Sequence, residues 1–278
     1  MLCGGGARGA LEVGFYRALE SLGIGLDYIV GSSVGALNGA AIAGGMPATA
    51  LIELWESIGR RNIVGANWRG WLRPWRCTGP YTLEPLRRLL REALPVSRFE
   101  RLVTPLTIVT TDLSTGRPAY WERTGDLIEP LVASMSLPGI FAPVVLEGRP
   151  HVDGAITNNL PVDRATLKGA QSIVSILCTC CPPPVAPPKH ALHVLKRSFM
   201  VALDSKSNDD LERYRSQDIH IHVVQPRFAI DVGLLDFRYT RELIAVGYEQ
   251  TLEYFKRTAG AMHGVPSPAA TAALRRHE

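Results

Sequence analysis

A chain of 278 residues with 46% hydrophobic content can bury a sizeable core, as one large α/β domain or two small ones. Thirty lysines and arginines against 26 aspartates and glutamates leave a net charge of +4. That surplus is too mild to point to nucleic acid, and no DNA- or RNA-binding motif occurs. No apolar run reaches the ~18 residues a spanning helix needs.

The first element expected is a very short strand, because only Met1-Leu2-Cys3 precede a glycine loop. The strand is either stunted or starts upstream. No secretory leader is visible in this stretch, and the expected setting is cytoplasmic with peripheral membrane contact. Gly4-Gly5-Gly6-Ala7-Arg8-Gly9 then leads into a helical pattern, Leu11 to Leu22. Its spacing satisfies a dinucleotide fingerprint, which also wants an acidic residue at the end of the next strand. Asp27 instead precedes that strand, Tyr28–Val30. The competing reading is an oxyanion hole, in which consecutive glycines let backbone N–H groups converge on one point. It is the better one, because it explains the next motif as well.

That motif is Gly31-Ser32-Ser33-Val34-Gly35. An apolar strand enters it and an Ala/Gly-rich helix, Ala36 to Gly44, leaves it. Strand, sharp turn and helix form the context in which G-x-S-x-G lifts a serine to the tip of a turn. Ser33 there sits at a helix N-terminus, near free N–H groups and the positive end of the dipole.

A helix is expected over Ala50–Arg61, with Leu51, Trp55 and Ile58 on one face. The stretch from Asn67 to Arg76 follows, with Trp68, Trp71 and Trp75 interleaved by Arg69 and Arg73. No acidic residue lies between Glu56 and Glu84. Packing of these tryptophans as a flap over the core is the ordinary reading. The functional one is contact with an anionic membrane, indoles at headgroup depth and guanidiniums on phosphates.

Thr82 is the expected N-cap of a helix over Leu83–Leu94, with Leu86, Leu89, Leu90 and Ala93 buried and Arg87, Arg88 and Arg91 solvated. Leu106–Thr110 reads as a buried strand, and Pro118–Glu122 as a second strand beyond the turn at Asp112–Arg117. A helix is expected over Leu127–Met135. The strands Val144–Leu146 and His151-Val152 flank a Glu147-Gly148-Arg149 turn as a hairpin. The hairpin delivers Asp153-Gly154-Ala155, and Asn158-Asn159-Leu160-Pro161-Val162 turns into another helix.

Ser172–Leu177 is a further core strand. The five cysteines form no disulfide framework, and Cys178, Cys180 and Cys181 lack zinc-site spacing, so they read as small residues ending that strand. Pro182–Pro188 is an extended linker, Leu192–Arg215 a long helix, Asp218–Gln225 a strand, Val232–Phe237 a loop and Tyr239–Arg257 a closing helix. Gly260–Glu278 lacks a packing face and is an expected disordered tail. Strands alternating with helices imply a mostly parallel sheet covered on both faces.

Three motifs in this order, Gly4–Gly9, Gly31–Gly35 and Asp153-Gly154-Ala155, resemble those of the patatin-like phospholipase family in its compact bacterial form. The lesser stretches Ser134–Phe141, Asn158–Val162 and Gly233–Phe237 resemble it too, so the likeness covers about Met1 to Arg257. Ala155 stands where the family more often has glycine. The resemblance implies a three-layer α/β/α fold with a mostly parallel central sheet and C-terminal helices. Residues 1–180 would form the catalytic core and 181–258 a helical extension on the same domain. It implies a Ser–Asp dyad: Ser33 the nucleophile, Asp153 its base, the backbone of Gly5 and Gly6 holding the oxyanion with Arg8 nearby, and Gly4, Gly9, Gly31, Gly35, Gly154 and Ala155 shaping the motifs. The implied reaction is hydrolysis of a phospholipid or other lipid ester through an acyl-serine, with no cofactor and no metal. The motifs carry no information on oligomeric state.

Three alternatives compete with this reading. His151 shares a strand face with Asp153, but it precedes the acid, whereas a usual hydrolase triad runs Ser, acid, His. A catalytically weak regulatory or membrane-associated protein is disfavoured by the complete dyad and glycine loop. A dinucleotide-binding oxidoreductase is disfavoured by the position of Asp27.

Overall fold

The computed structural model describes residues 1–68, 72, 78–178, 191–215, 219–230 and 232–258. The expected linker at Pro182–Pro188 and tail at Gly260–Glu278 lie outside them. The fold is α/β, in the three layers expected, built on a central sheet. β1 (Ile29–Ser32) runs parallel to β4 (Leu106–Asp112), and β8 (Ser172–Ile176) runs parallel to β9 (His220–Val224). Leu2 joins the two pairs through parallel bridges to Gly31 and Ile176. The short first strand is thus a single bridged residue, held further by the Met1 amino group on the Val174 carbonyl at 2.7 Å. Antiparallel strands finish the sheet: β5 (Arg117–Trp121) against β4, and the hairpin of β6 (Val144–Leu146) and β7 (Arg149–Asp153). The strands β2 (Gly65–Ala66) and β3 (Tyr81–Thr82) form a separate ribbon.

All seven residues of β4 are buried, as a β-branched run covered on both faces requires. Its edges position the site. β5 occupies one edge along Ile108–Asp112. The other edge is shared: β1 pairs with Leu106–Val109 and β7 with Thr110–Asp112. β1 runs with β4 and β7 runs against it. The two strands therefore meet head to head, Ser32 opposite Val109 and Asp153 opposite Thr110.

The helix α1 (Ala10–Ser21) follows the glycine loop, and α2 (Val34–Ala43) follows the serine turn. α2 is buried at every residue, in keeping with its small apolar side chains. The expected helix over Ala50–Arg61 is corrected to α3 (Ala48–Ser57) and the single turn α4 (Arg60–Ile63). Ile58 and Gly59 are extended between them, and the Asn62 side chain caps the new turn by accepting the Gly59 N–H at 2.9 Å. Leu51, Trp55 and Ile58 are all buried, as expected. Thr82 ends β3 and is not the cap of α5 (Glu84–Ala93); that position is Leu83, while the Thr82 hydroxyl accepts the Glu84 N–H. Arg87 departs from the solvated face expected of it. It forms a two-pronged pair with Glu129 at 2.7 and 2.9 Å, tying α5 to α6 (Ile128–Ser134).

Short helices α7 (Ala155–Asn158) and α8 (Val162–Leu167) follow Asp153, and α9 (Ala191–Arg215) and α10 (Thr240–Thr258) close the chain. No helix among the described residues is long and apolar enough to cross a membrane. α10 crosses α1 backbone to backbone. A Cβ on Gly14 would lie 2.0 Å from the Ile244 carbonyl oxygen, and one on Gly247 would lie 2.1 Å from that of Leu11. Neither backbone can retreat without opening the core under α1, where Leu11 is fully buried. Gly247→Ala is expected to lower the unfolding free energy by about 2–3 kcal/mol, measured by urea denaturation.

Candidate active site

Ser33 joins β1 to α2 with φ 53° and ψ −127°, a conformation rare outside glycine. Its neighbours permit the turn. A Cβ on Gly31 would lie 2.4 Å from the Gly35 carbonyl oxygen, and one on Gly35 would lie 2.5 Å from the backbone of Leu2. The strain of such a turn, about 1–3 kcal/mol, persists only where the surroundings hold it. Ser134 supplies a hold that sequence reasoning did not assign. Its hydroxyl accepts the Ser33 N–H at 2.8 Å and donates to the Val109 carbonyl at 2.6 Å. The signal was present in the stretch from Ser134 to Phe141, but a single serine there states no role.

Asp153, fully buried at the end of β7, receives the Ser33 Oγ–H on Oδ2 at 2.7 Å. Its Oδ1 accepts the Ala155 N–H at 2.9 Å, its carbonyl accepts the Thr111 hydroxyl at 2.8 Å, and its own N–H reaches the Ser136 carbonyl. The residue is therefore fixed by four hydrogen bonds, two on its carboxyl and two on its backbone. Gly154 is required next to it, since a Cβ there would fall 2.1 Å from the Val109 carbonyl oxygen. Burial pushes the Asp153 carboxyl from its ordinary 3.8 up to about 7, against the opposing hydrogen bonds from Ala155 and Ser33.

The glycine loop lies beside the serine turn, carried there by the Leu2–Gly31 bridge. The Gly4 N–H is taken by Asn159 Oδ1 at 2.7 Å, and a Cβ on Gly4 would touch the Ser33 Cβ at 3.0 Å. Among the described residues, no protein acceptor meets the amides of Gly5 and Gly6. Gly6 takes φ +60° against the Leu234 backbone, and the Ala7 N–H donates to the Leu234 carbonyl at 2.8 Å. The Arg8 side chain is buried with its Nε on the Val232 carbonyl at 3.1 Å and its guanidinium 6.0 Å from the Phe228 ring. Its contacts thus hold the loop from behind. A Cβ on Gly9 would strike Val34 at 2.5 Å, which sets the loop tightly on α2.

His151 is buried away from this centre. Its Nδ1 bonds the Thr110 hydroxyl at 3.0 Å, its ring meets Trp121 edge-on, and burial lowers its pKa. Cys3, Glu12 and Cys178 form a buried group with ligand atoms within 4.8 Å of one another, and Glu12 Oε1 has no hydrogen-bond partner. Burial raises the Glu12 carboxyl to about 8, so it is largely neutral at pH 7 and joins Asn38 and Trp55 in a polar network. Burial and the neighbouring Cys3 thiol hold Cys178 well above the ordinary thiol range. Cys180 and Cys181 lie outside the described residues.

A narrow apolar cleft opens over Ser33. Leu37, Trp55, Ile63, Met135 and Phe141 line it from the core, and Leu234, Leu235 and Phe237 from the C-terminal side. Of the Trp/Arg stretch, Trp71, Trp75, Arg69 and Arg73 lie outside the described residues. Trp68 and Leu72 are 69% and 80% exposed.

The sequence matches the family model described as patatin-like phospholipase over residues 1–166. It is 33% identical over 177 residues to lysophospholipase nte1 of Aspergillus terreus, covering 63% of this chain and 11% of that protein. An uncharacterized NTE family protein of Mycobacterium bovis is 31% identical over 173 residues, covering 62% of this chain and 46% of its own length. The chain therefore spans less than half of these curated relatives. VipD from Legionella pneumophila has a similar fold, with a TM-score of 0.51 at 15% identity, over 92% of this chain and 66% of that one.

A carboxyl that stays protonated up to about pH 7 when folded, and ionises near 3.8 when unfolded, makes the folded chain hold more protons between those values. The contribution of Asp153 to stability falls through that window as pH rises and changes no further above it. Asp153→Asn is expected to match the parent near pH 4 and to exceed its unfolding free energy at pH 9 by roughly 2–4 kcal/mol, measured by denaturant melts at both pH values.

Proposed function

The chain belongs to the patatin-like phospholipase family, and from that premise we propose that it is a serine lipid acyl hydrolase of phospholipase A or lysophospholipase type. The observation that carries the proposal is the 2.7 Å hydrogen bond from Ser33 Oγ to a fully buried Asp153, at the mouth of an apolar cleft. A free carboxylate is a weak base for a serine hydroxyl. The proton affinity of Asp153, raised to about 7 by burial, narrows that gap.

In the proposed reaction the ester carbonyl lies over Ser33 with its acyl chain in the cleft. Ser33 Oγ attacks the carbonyl carbon as its proton passes to Asp153 Oδ2. The oxygen that becomes negative is received by the N–H groups of Gly5 and Gly6, which have no acceptor of their own among the described residues. The C–O bond to the alcohol breaks, and the alcohol takes the proton from Asp153. Water then attacks the acyl-serine, Asp153 accepting its proton and returning it to Ser33 Oγ as the fatty acid leaves. Arg8 acts here by anchoring the loop through Val232. Residues 181–258 are proposed as an extension of the same domain, since β9 continues the sheet and α10 packs on α1.

The substrate is proposed to be met at a membrane or micelle surface. The exposed Trp68 and Leu72 support contact there, within a stretch free of acidic residues. Trp68→Ala with Leu72→Ala is expected to weaken co-sedimentation with anionic vesicles at least about fivefold; unchanged binding rejects this part of the proposal.

A fluorophosphonate probe tests the chemistry. Labelling is expected at Ser33, absent in Ser33→Ala. Asp153→Asn is expected to lower kcat by about 10³-fold. The parent's kcat/KM should rise with pH through about 7, as Asp153 loses its proton. An unreactive Ser33 in folded protein overturns the proposal.

A further inference from the structure

The family model ends at residue 166, yet the segment Val232–Phe237 touches both the oxyanion loop and the acyl cleft. Its backbone holds the loop. The Leu234 carbonyl accepts the Ala7 N–H at 2.8 Å, the Val232 carbonyl accepts Arg8 Nε at 3.1 Å, and Gly6 lies so close that a Cβ would fall 2.4 Å from the Leu234 oxygen. The segment also lines the cleft, through Leu234, Leu235 and Phe237, together with Gly6 and Ser33.

The segment is unevenly fastened. Val232 is fully buried, whereas Leu234, Leu235 and Phe237 are each partly exposed, Phe237 with its ring 6.2 Å from that of Trp55. A long acyl chain lying in the cleft covers the apolar surface that these two leucines leave open. The same contact presses the Leu234 backbone onto the loop that carries the Gly5 and Gly6 amides. A short acyl chain covers less of that apolar surface.

We propose that Leu234 and Leu235 are specificity-determining residues that make turnover, and not only binding, depend on acyl-chain length. The chain's contact with these leucines steadies the oxyanion loop through the Leu234 carbonyl. Binding energy remote from the ester is then expressed in the transition state, where it raises kcat. A cleft wall that merely held the chain would lower KM and leave kcat unchanged.

This inference rests on the hydrolase reading, and the test separates the two. Steady-state rates are measured with p-nitrophenyl esters carrying four-carbon and eight-carbon acyl chains, each kept below its solubility limit. The parent's kcat is expected to be about tenfold higher for the longer chain. In Leu235→Ala and Leu234→Ala the ratio of the two kcat values is expected to fall to about two. A second measurement uses the unaltered protein, so it does not depend on how a variant folds. Hydrogen exchange of the Ala7 amide is compared in the Ser33 adducts of a decyl and a methyl fluorophosphonate. Slower exchange in the decyl adduct is expected. Equal exchange in the two adducts, or a chain-length effect confined to KM, overturns the inference while leaving the hydrolase reading intact. A Ser33 that forms neither adduct defeats both.

Discussion

Two strands of opposite direction end on one edge of β4, and the site exists because of that collision. β1 arrives along β4 and stops at Val109; β7 arrives against it and stops at Thr110. Neither strand can continue, because the other blocks the edge. Each chain must leave the sheet at that point. β1 leaves as a strained turn that carries Ser33, and β7 leaves through Gly154, whose missing side chain admits the Val109 carbonyl. Ser33 and Asp153 are thus neighbours through backbone hydrogen bonding before any side-chain contact is made. The 2.7 Å hydrogen bond between them is the result. This explains how an aspartate remains in so dry a place. Its position is dictated by the ladder, and its desolvation is offset by hydrogen bonds from Ser33 and Ala155.

A buried carboxyl with raised proton affinity costs stability at neutral pH, and the rest of the site shows how that cost is tolerated. Ser134 satisfies both the Ser33 amide and the Val109 carbonyl, so the junction carries no unpaired backbone group at those two positions. Asn159 does the same for Gly4 while its amide reaches the Ser207 hydroxyl on α9 at 3.2 Å. The amides of Gly5 and Gly6 are the exception, and they point to where charge is proposed to develop. Preorganised donors of this kind require no rearrangement at the moment of reaction.

The features most legible in the sequence are those that impose a spacing. A sharp turn between strand and helix needs glycines two residues either side of Ser33, and a loop with converging amides needs consecutive glycines, so both stand out in a linear reading. The hairpin that ends at Asp153 is marked by alternation and by its Glu147-Gly148 turn. Ser134 and Asn159 were not legible in their roles, because one polar side chain on one backbone amide leaves no period and no composition. Gly14 and Gly247 were illegible for another reason. Each is a lone glycine within a helix, and its meaning lies in a partner near the other end of the chain. Arg87 read as one charge among several because Glu129, its partner, comes 42 residues later. The break at Ile58-Gly59 was missed because apolar periodicity continued across it, while the Asn62 cap that restarts the helix acts over three residues only.

The parallel bridge of Leu2 to Ile176, and the Met1 amino group on Val174, join positions 174 and 173 residues apart. A growing chain leaves the ribosome N-terminus first, so the glycine loop emerges early and waits. Its strand finds its second neighbour only after β8 has been made, and the Leu234 carbonyl that receives Ala7 comes later still. Contacts of such long range form late and slowly. The serine turn can fold against β4 well before that, but it does so beside an unshaped loop. A copy ending before β8 therefore has Ser33 beside β4 but lacks the β8 and Leu234 contacts that shape the glycine loop.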